Sequence, residues 1–183
     1  MNTQAKPASG WDTMDAQAFM QREKAIFDPF ATLSNEWMIV GAGIASDWNG
    51  MTASWGSVGR LWNRDVAVCY VRPSRHTFKY MERSDRFTLS FFDPSWRSAL
   101  DYFGSRSGRD QDKASGAGLD PVCFADDAVT FAQARLCFVC RKIYAQDILP
   151  ELFLDPSIAA HYPKKDYHRM YVGEIQEVRV KRE

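Results

Sequence analysis

Apolar and polar positions along this chain group into short runs of strand length, separated by turn residues. Trp37–Ala45 reads as a mostly apolar first strand. Asp47-Trp48-Asn49-Gly50 is a turn signal, because Asn-Gly suits the primed hairpin geometries. A second short strand follows through Met51–Gly56. Asp65–Val71 is the clearest strand, β-branched and aromatic with almost no charge. Pro73 ends it, and Ser74 is placed to cap a helix over Arg75–Arg83. Arg86–Phe92 predicts another strand, stopped by Asp93-Pro94-Ser95, where Asp93 or Ser95 can cap a helix reaching Phe103. Residues 104–120, rich in Gly, Ser, Asp and Arg, predict a long loop with one helical turn near Asp110–Ala114. Phe131–Arg141 predicts a long strand whose even-numbered residues, Ala132 to Cys140, make one apolar face. Asp147–Ala160 predicts short helix and loop, broken by Pro150 and Pro156. Met170–Val180 predicts the last strand, in which Gly173 marks a bend or a close approach.

At the other end, residues 1–13 look like a mobile arm, Asp15–Lys24 predicts a short helix, and the chain turns at Asp28-Pro29. The expected organisation is an arm with a short helix over 1–25 and one domain over 26–183. Strands outnumber helices and do not alternate with long ones, which argues against a doubly wound nucleotide fold. A small barrel with helices at its ends suits this many strands because closure removes exposed sheet edges.

Composition narrows the class. The 183 residues are 45% hydrophobic, 25% charged and 14% aromatic, which excludes a disordered tail, a collagen-like fibre and a charged coil. Lys plus Arg and Asp plus Glu are both 23, so a globally basic nucleic-acid binder is disfavoured. No apolar run is long enough to predict a membrane span. The start, Met1–Pro7, has no signal-peptide core, so cytoplasmic residence is the expectation. Four cysteines are too few for a disulfide scaffold. Cys137 and Cys140 share a C-x-x-C spacing, but in a strand residues three apart face opposite sides. With three histidines in the chain, a zinc or redox-disulfide centre is disfavoured.

Four clusters could carry chemistry. Val71–Thr77 places Arg72, Ser74, Arg75 and Thr77 where a strand becomes a helix, and free amides and guanidinium forks there suit a phosphate. The ordinary reading is a plain helix start capped by Ser74, with solvent-facing arginines. Asn49–Gly56 combines small residues and hydroxyls that let a flat ring approach main-chain groups, although Trp55 also reads as core packing. Ser105–Lys113 reads either as a solvated charged loop or as a lid with Arg109 or Lys113 reaching inward. Asp166–Ile175 puts His168 at the mouth of the last strand, as an acid–base group, a hydrogen-bond partner or a structural histidine. No GxGxxG, Walker loop, HExxH or calcium loop is present.

In this order, the clusters resemble the flavin reductase-like family of FMN-binding split barrels, closest to its flavoredoxin-related branch. The resemblance covers residues 26–180. It rests on Asn49–Gly56, Tyr70–Thr77, Phe87–Phe92, Ser107–Lys113 and His168–Ile175 taken together. It implies a mainly β fold, a six-stranded Greek-key split β-barrel with short flanking helices, and a homodimer with FMN near the interface. It further implies that Thr52, Ala53, Ser54 and Trp55 line the flavin and that Arg72, Arg75 and Thr77 take the phosphate side. Phe91 would end the strand that follows, and Ser107, Arg109 and Lys113 would approach from the loop. His168 matches a family histidine associated with the flavin and nicotinamide region.

The activity implied is an oxidoreductase that takes hydride from NADH or NADPH on bound FMN and passes electrons to free flavin, iron or another acceptor. The alternatives are an FMN-binding electron carrier served by a protein partner, and a non-catalytic barrel. Neither nucleic acid nor membrane is an expected partner.

Overall fold

The computed structural model describes residues 2–22 and 27–182. Eight strands form the main sheet. They are β2 (Trp11–Met14), β3 (Met38–Ile44), β4 (Asp47–Ala53), β5 (Gly56–Leu61), β6 (Arg64–Val71), β7 (Arg86–Phe91), β10 (Leu136–Asp147) and β11 (Arg169–Lys181). Their order is β4-β3-β7-β10-β11-β6-β5, with β2 added alongside β11. A second sheet holds β1 (Lys6–Pro7), β8 (Pro121–Cys123) and β9 (Val129–Phe131). The helices are α1 (Ala16–Arg22), α2 (Pro29–Ala31), α3 (His76–Arg83), α4 (Arg97–Ser105) and α5 (Lys113–Ala117).

The expectation of a six-stranded Greek-key split β-barrel is corrected. The main sheet has eight strands, and β4 and β5 stand at its opposite ends without pairing to one another. Ser54 and Trp55 alone join those two strands, so β5 runs on from β4 instead of folding back beside it. Among the described residues, hydrogen bonding does not close the ring, and the outer edge of β4 has no strand partner.

Strand pairing explains several local departures. The tight turn falls at Ala45-Ser46, because Ile44 pairs with Asp47, so Asn49-Gly50 lies inside β4. The β5–β6 hairpin turns instead on Trp62 and Asn63, both at positive φ (51° and 57°), the signature of a type I′ turn. β10 starts later than Phe131 and runs on to Asp147, because it pairs with β11 along nearly its whole length. Both of its faces are buried: Leu136, Phe138 and Cys140 enter one core, Cys137 and Val139 the other. The C-x-x-C pair is therefore split between two cores.

Two cores flank the sheet. On one side Met38, Val40, Leu89, Phe91 and Phe138 pack with Phe19 and Phe27. On the other, Phe103 of α4, Ala114 of α5 and Phe131 of the small sheet pack with Ile39, Trp48 and Val139. Polar residues of β7 on this second side are satisfied by β9. Thr88 Oγ1 donates to the Val129 carbonyl at 2.5 Å, and Ser90 Oγ lies 2.8 Å from Thr130 Oγ1.

The N-terminal residues expected to form a mobile arm are laid across both sheets: β1 pairs with β8 and β2 with β11. Asp15 caps α1 by accepting from the Ala18 amide at 2.7 Å. The last two residues of the helix expected there, 23 and 24, and the boundary at 26 lie outside the described residues.

Candidate functional site

The site forms where the main sheet fails to close. β6 ends at Val71, Arg72-Pro73-Ser74 turns the chain, and α3 begins at His76 with Arg75 as its N-cap. Ser74 does not cap this helix. Its hydroxyl donates to Asp166 Oδ2 at 3.2 Å. The turn brings both arginines against the free edge of β4.

A cleft of about 480 Å³ results, lined by Thr52, Ala53, Ser54, Trp55, Arg72, Arg75, Asp166 and His168, with Tyr70 below. Thr52–Ser54 and Arg75 also border an adjoining hollow of about 350 Å³, walled by Trp37 and Gly104. Each volume lies within the roughly 300–1,000 Å³ usual for small-molecule sites. The hollow beside α1, lined by Phe19, Phe27, Val58 and Ile175, is of similar size, but its charged residues, Arg60 and Asp65, neutralise each other at 3.0 Å.

The two arginines are held differently. Arg72 is neutralised: Nη1 meets Asp166 Oδ1 at 2.7 Å, and Nη2 donates to the His161 carbonyl at 2.8 Å. Arg75 is half-buried and donates from Nη1 to the Gly104 carbonyl at 2.7 Å. Among the described residues it has no carboxylate partner. Burial first, then the charge of Arg72, lowers its pKa, so an uncompensated positive charge sits in the cleft.

His168 is buried, and its Nδ1 lies 2.9 Å from the Tyr162 hydroxyl. Burial, then the Arg72 charge, pushes its pKa down to about 4. The ring is neutral at neutral pH, which suits a hydrogen-bond partner and not a proton donor. Trp55, 40% exposed, stands over it with ring centroids 4.9 Å apart.

The structure thus brings Thr52–Trp55, Arg72, Arg75 and His168 together around one cleft. It places the other expected site residues elsewhere in the monomer. Thr77 is buried and accepts from Asn49 Nδ2 at 2.7 Å. Phe91 is buried in the core against Phe27 and Phe138. Ser107 Oγ accepts from the Arg109 amide at 3.2 Å, and the exposed Arg109 donates from Nε to His76 Nδ1 at 3.1 Å. Lys113 is buried, donating to the carbonyls of Gly50 at 2.5 Å and Phe103 at 3.2 Å. Burial, then the charge of Arg75, pushes its pKa down to about 7. Sequence reasoning did not single out Tyr162 or Trp37. A Tyr six residues before the singled-out histidine carried no spacing signal, and Trp37 reaches the hollow through a positive φ of 68° that no motif announces.

The flavin reductase like domain family matches residues 30–183. The chain belongs to this family. No curated protein matches it. Among solved structures, an FMN-binding domain of a flavin reductases-like enzyme from Shewanella baltica is 15% identical, with 95% of this chain and 80% of that chain covered and a TM-score of 0.64. Flavoredoxin of Desulfovibrio vulgaris is 21% identical, covering 80% and 69%, with a TM-score of 0.61. An FMN-binding protein from Thermus thermophilus with bound 1-cyclohex-2-enone is 19% identical, covering 78% and 68%, with a TM-score of 0.60. At these identities the likeness carries the fold of this flavin reductase-like chain. Among its described residues no helix is long and apolar enough to cross a membrane, and no cluster of His, Cys, Asp and Glu suits a metal ion.

Proposed function

We propose that this flavin reductase-like chain holds FMN in the cleft and uses it to move electrons from NADH or NADPH to free flavin, iron or another acceptor. The observation that carries this reading is Arg75, a half-buried guanidinium without a carboxylate partner, beside the free edge of β4. A phosphate dianion would complete Arg75, and charge-assisted bonds from a guanidinium are strong and directional. Main-chain groups of Thr52–Trp55 would meet the ring edge, since no neighbouring strand pairs with β4 on that side. The donor set therefore suits FMN.

When bound, FMN supplies the hydride-accepting redox chemistry, which no side chain of this site offers. The protein binds and orients. Arg72, locked to Asp166, holds the wall of the cleft. Tyr162 fixes the His168 ring through Nδ1 and, among the described residues, leaves Nε2 without a partner, available to hold a ligand amide. Neutral His168 orients without delivering a proton, and hydride transfer requires no base. Trp55 covers the cleft and limits water.

A homodimer belongs to the same reading. Leu149, Leu152, Leu154 and Ile158 expose apolar surface on the segment that leads to Tyr162, and a second copy would cover it. Sedimentation velocity checks this, with a dimer expected and a monomer at micromolar concentration the contrary result.

Anaerobic stopped-flow mixing of the FMN-loaded protein with each nicotinamide tests the activity. Bleaching of the flavin absorption by at least one donor is expected. Bleaching by neither, with reduction only through a partner reductase, would make the chain an electron carrier instead.

A further inference from the structure

The segment before the family-matched residues begins against β4 and the start of α5, at Asn2 and Thr3. Its course is fixed by the β1–β8 pairing, by the Ala5 amide donating to the Ala45 carbonyl at 2.9 Å, and by Trp48 Nε1 donating to the Thr3 carbonyl at 3.0 Å. We propose that Asn2 and Thr3 are positioning residues of the cofactor site, which seat Arg75 through two hydrogen-bonded routes. The proposal deepens the FMN reading of the cleft and rests on it.

The first route runs through β4. Asn2 Nδ2 donates to the Trp48 carbonyl at 2.9 Å and to Asn49 Oδ1 at 3.2 Å. Asn49 Nδ2 in turn donates to Thr77 Oγ1. Thr77 lies in the first turn of α3, the helix whose N-cap is Arg75. Orientation of the Asn49 amide, and through it the start of α3, is thus set from the N-terminal segment.

The second route runs through α5 and α4. The Thr3 amide donates to Asp112 Oδ2 at 2.6 Å, and its hydroxyl donates to the same oxygen. The other oxygen of Asp112 caps α5, accepting from Ala114 at 3.0 Å and Ser115 at 3.2 Å. Asn2 Oδ1 accepts from the Lys113 amide at 3.4 Å. Lys113 then reaches from α5 to the Phe103 carbonyl, and the next carbonyl, Gly104, receives Arg75 Nη1. These are the last carbonyls of α4, which lack intrahelical donors. Lys113 and Arg75 therefore cap one helix end side by side, and both routes from the N-terminal segment arrive at Arg75.

The test is the full chain carrying N2A and T3A together. Its FMN dissociation constant should rise about fivefold to tenfold, the effect of about one neutral hydrogen bond. Riboflavin, which lacks the phosphate, should bind as before. In the ligand-free protein, amide hydrogen exchange should quicken in residues 75–78, 103–106 and 112–117 while β10 and β11 keep their protection. Thr3→Ser alone, which retains the hydroxyl, should leave all of these unchanged. Unchanged exchange at 75–78 and 103–106 would overturn the proposal, as would equal weakening of both ligands or faster exchange throughout the sheet. Should the natural sequence bind neither flavin, the FMN reading falls, and the exchange result alone decides whether these residues seat Arg75.

Discussion

Arg75 and Arg72 are three residues apart and differ in what neutralises them. Asp166 satisfies Arg72, whereas among the described residues Arg75 meets a carbonyl and no carboxylate. Replacing Arg75 by Ala should weaken FMN about tenfold to a hundredfold, the value of a charge-assisted bond, and leave riboflavin nearly unaffected. Calorimetric titration with both ligands checks this, and equal losses would place the phosphate elsewhere. His168 gives a prediction in pH. Its folded-state pKa, about 4, lies below the ordinary 6.5, so the unfolded chain binds the proton more tightly. Its contribution to stability is complete above pH 6.5 and is lost as pH falls toward 4. Comparing urea midpoints of the natural sequence and His168→Gln should show a smaller acid loss in the variant over that window. At this scale, residue types at turns were legible, because Arg, Ser and Thr clustered where a strand met a helix. Partnership was not. Nothing in the local sequence says that Asp166, distant along the chain, takes Arg72 and leaves Arg75 open.

Among the elements, β6, α3, β7 and β11 were readable because their hydrophobic runs have clear ends. The turn at Asn49-Gly50 was misread because pairing with β3 decides the hairpin, and Ala45-Ser46 closes it two residues from Ile44 to Asp47. Gly173 of β11 illustrates a legible constraint. A Cβ there would lie 2.5 Å from Phe87 Cζ and 2.7 Å from Cys140 Cβ. Gly173→Ala should destabilise the chain by about 1–3 kcal/mol through overpacking, measured by urea unfolding. Lys113 ties β4 to α4, and its folded-state pKa, about 7, lies below the ordinary 10.5. The unfolded chain binds more protons between those values, so this group adds stability as pH rises from 7 to 10.5. Lys113→Met should flatten that rise relative to the natural sequence.

For the whole molecule, strand count and the family resemblance both favoured a barrel, and the structure leaves the main sheet open at β4. Closure depends on which strands pair across the last gap, and periodicity within a strand carries no such information. The open edge is also where Thr52–Trp55 meet the arginines, so the departure from closure and the site are one feature. The N-terminal segment was unreadable for a similar reason: a two-residue strand such as β1 has no period of its own and is ordered by its partner β8. The thiols report the same packing. Cys69, Cys137 and Cys140 are buried and free, and burial raises the pKa of each, that of Cys137 to about 12. Cys123 is partly accessible and should react alone with a thiol reagent in the native protein. The most direct measurement of the central claim is a crystal structure of the chain with FMN bound. The account predicts the phosphate within hydrogen-bond distance of the Arg75 guanidinium and the ring edge against the Thr52–Trp55 main chain. FMN bound away from both segments would contradict it.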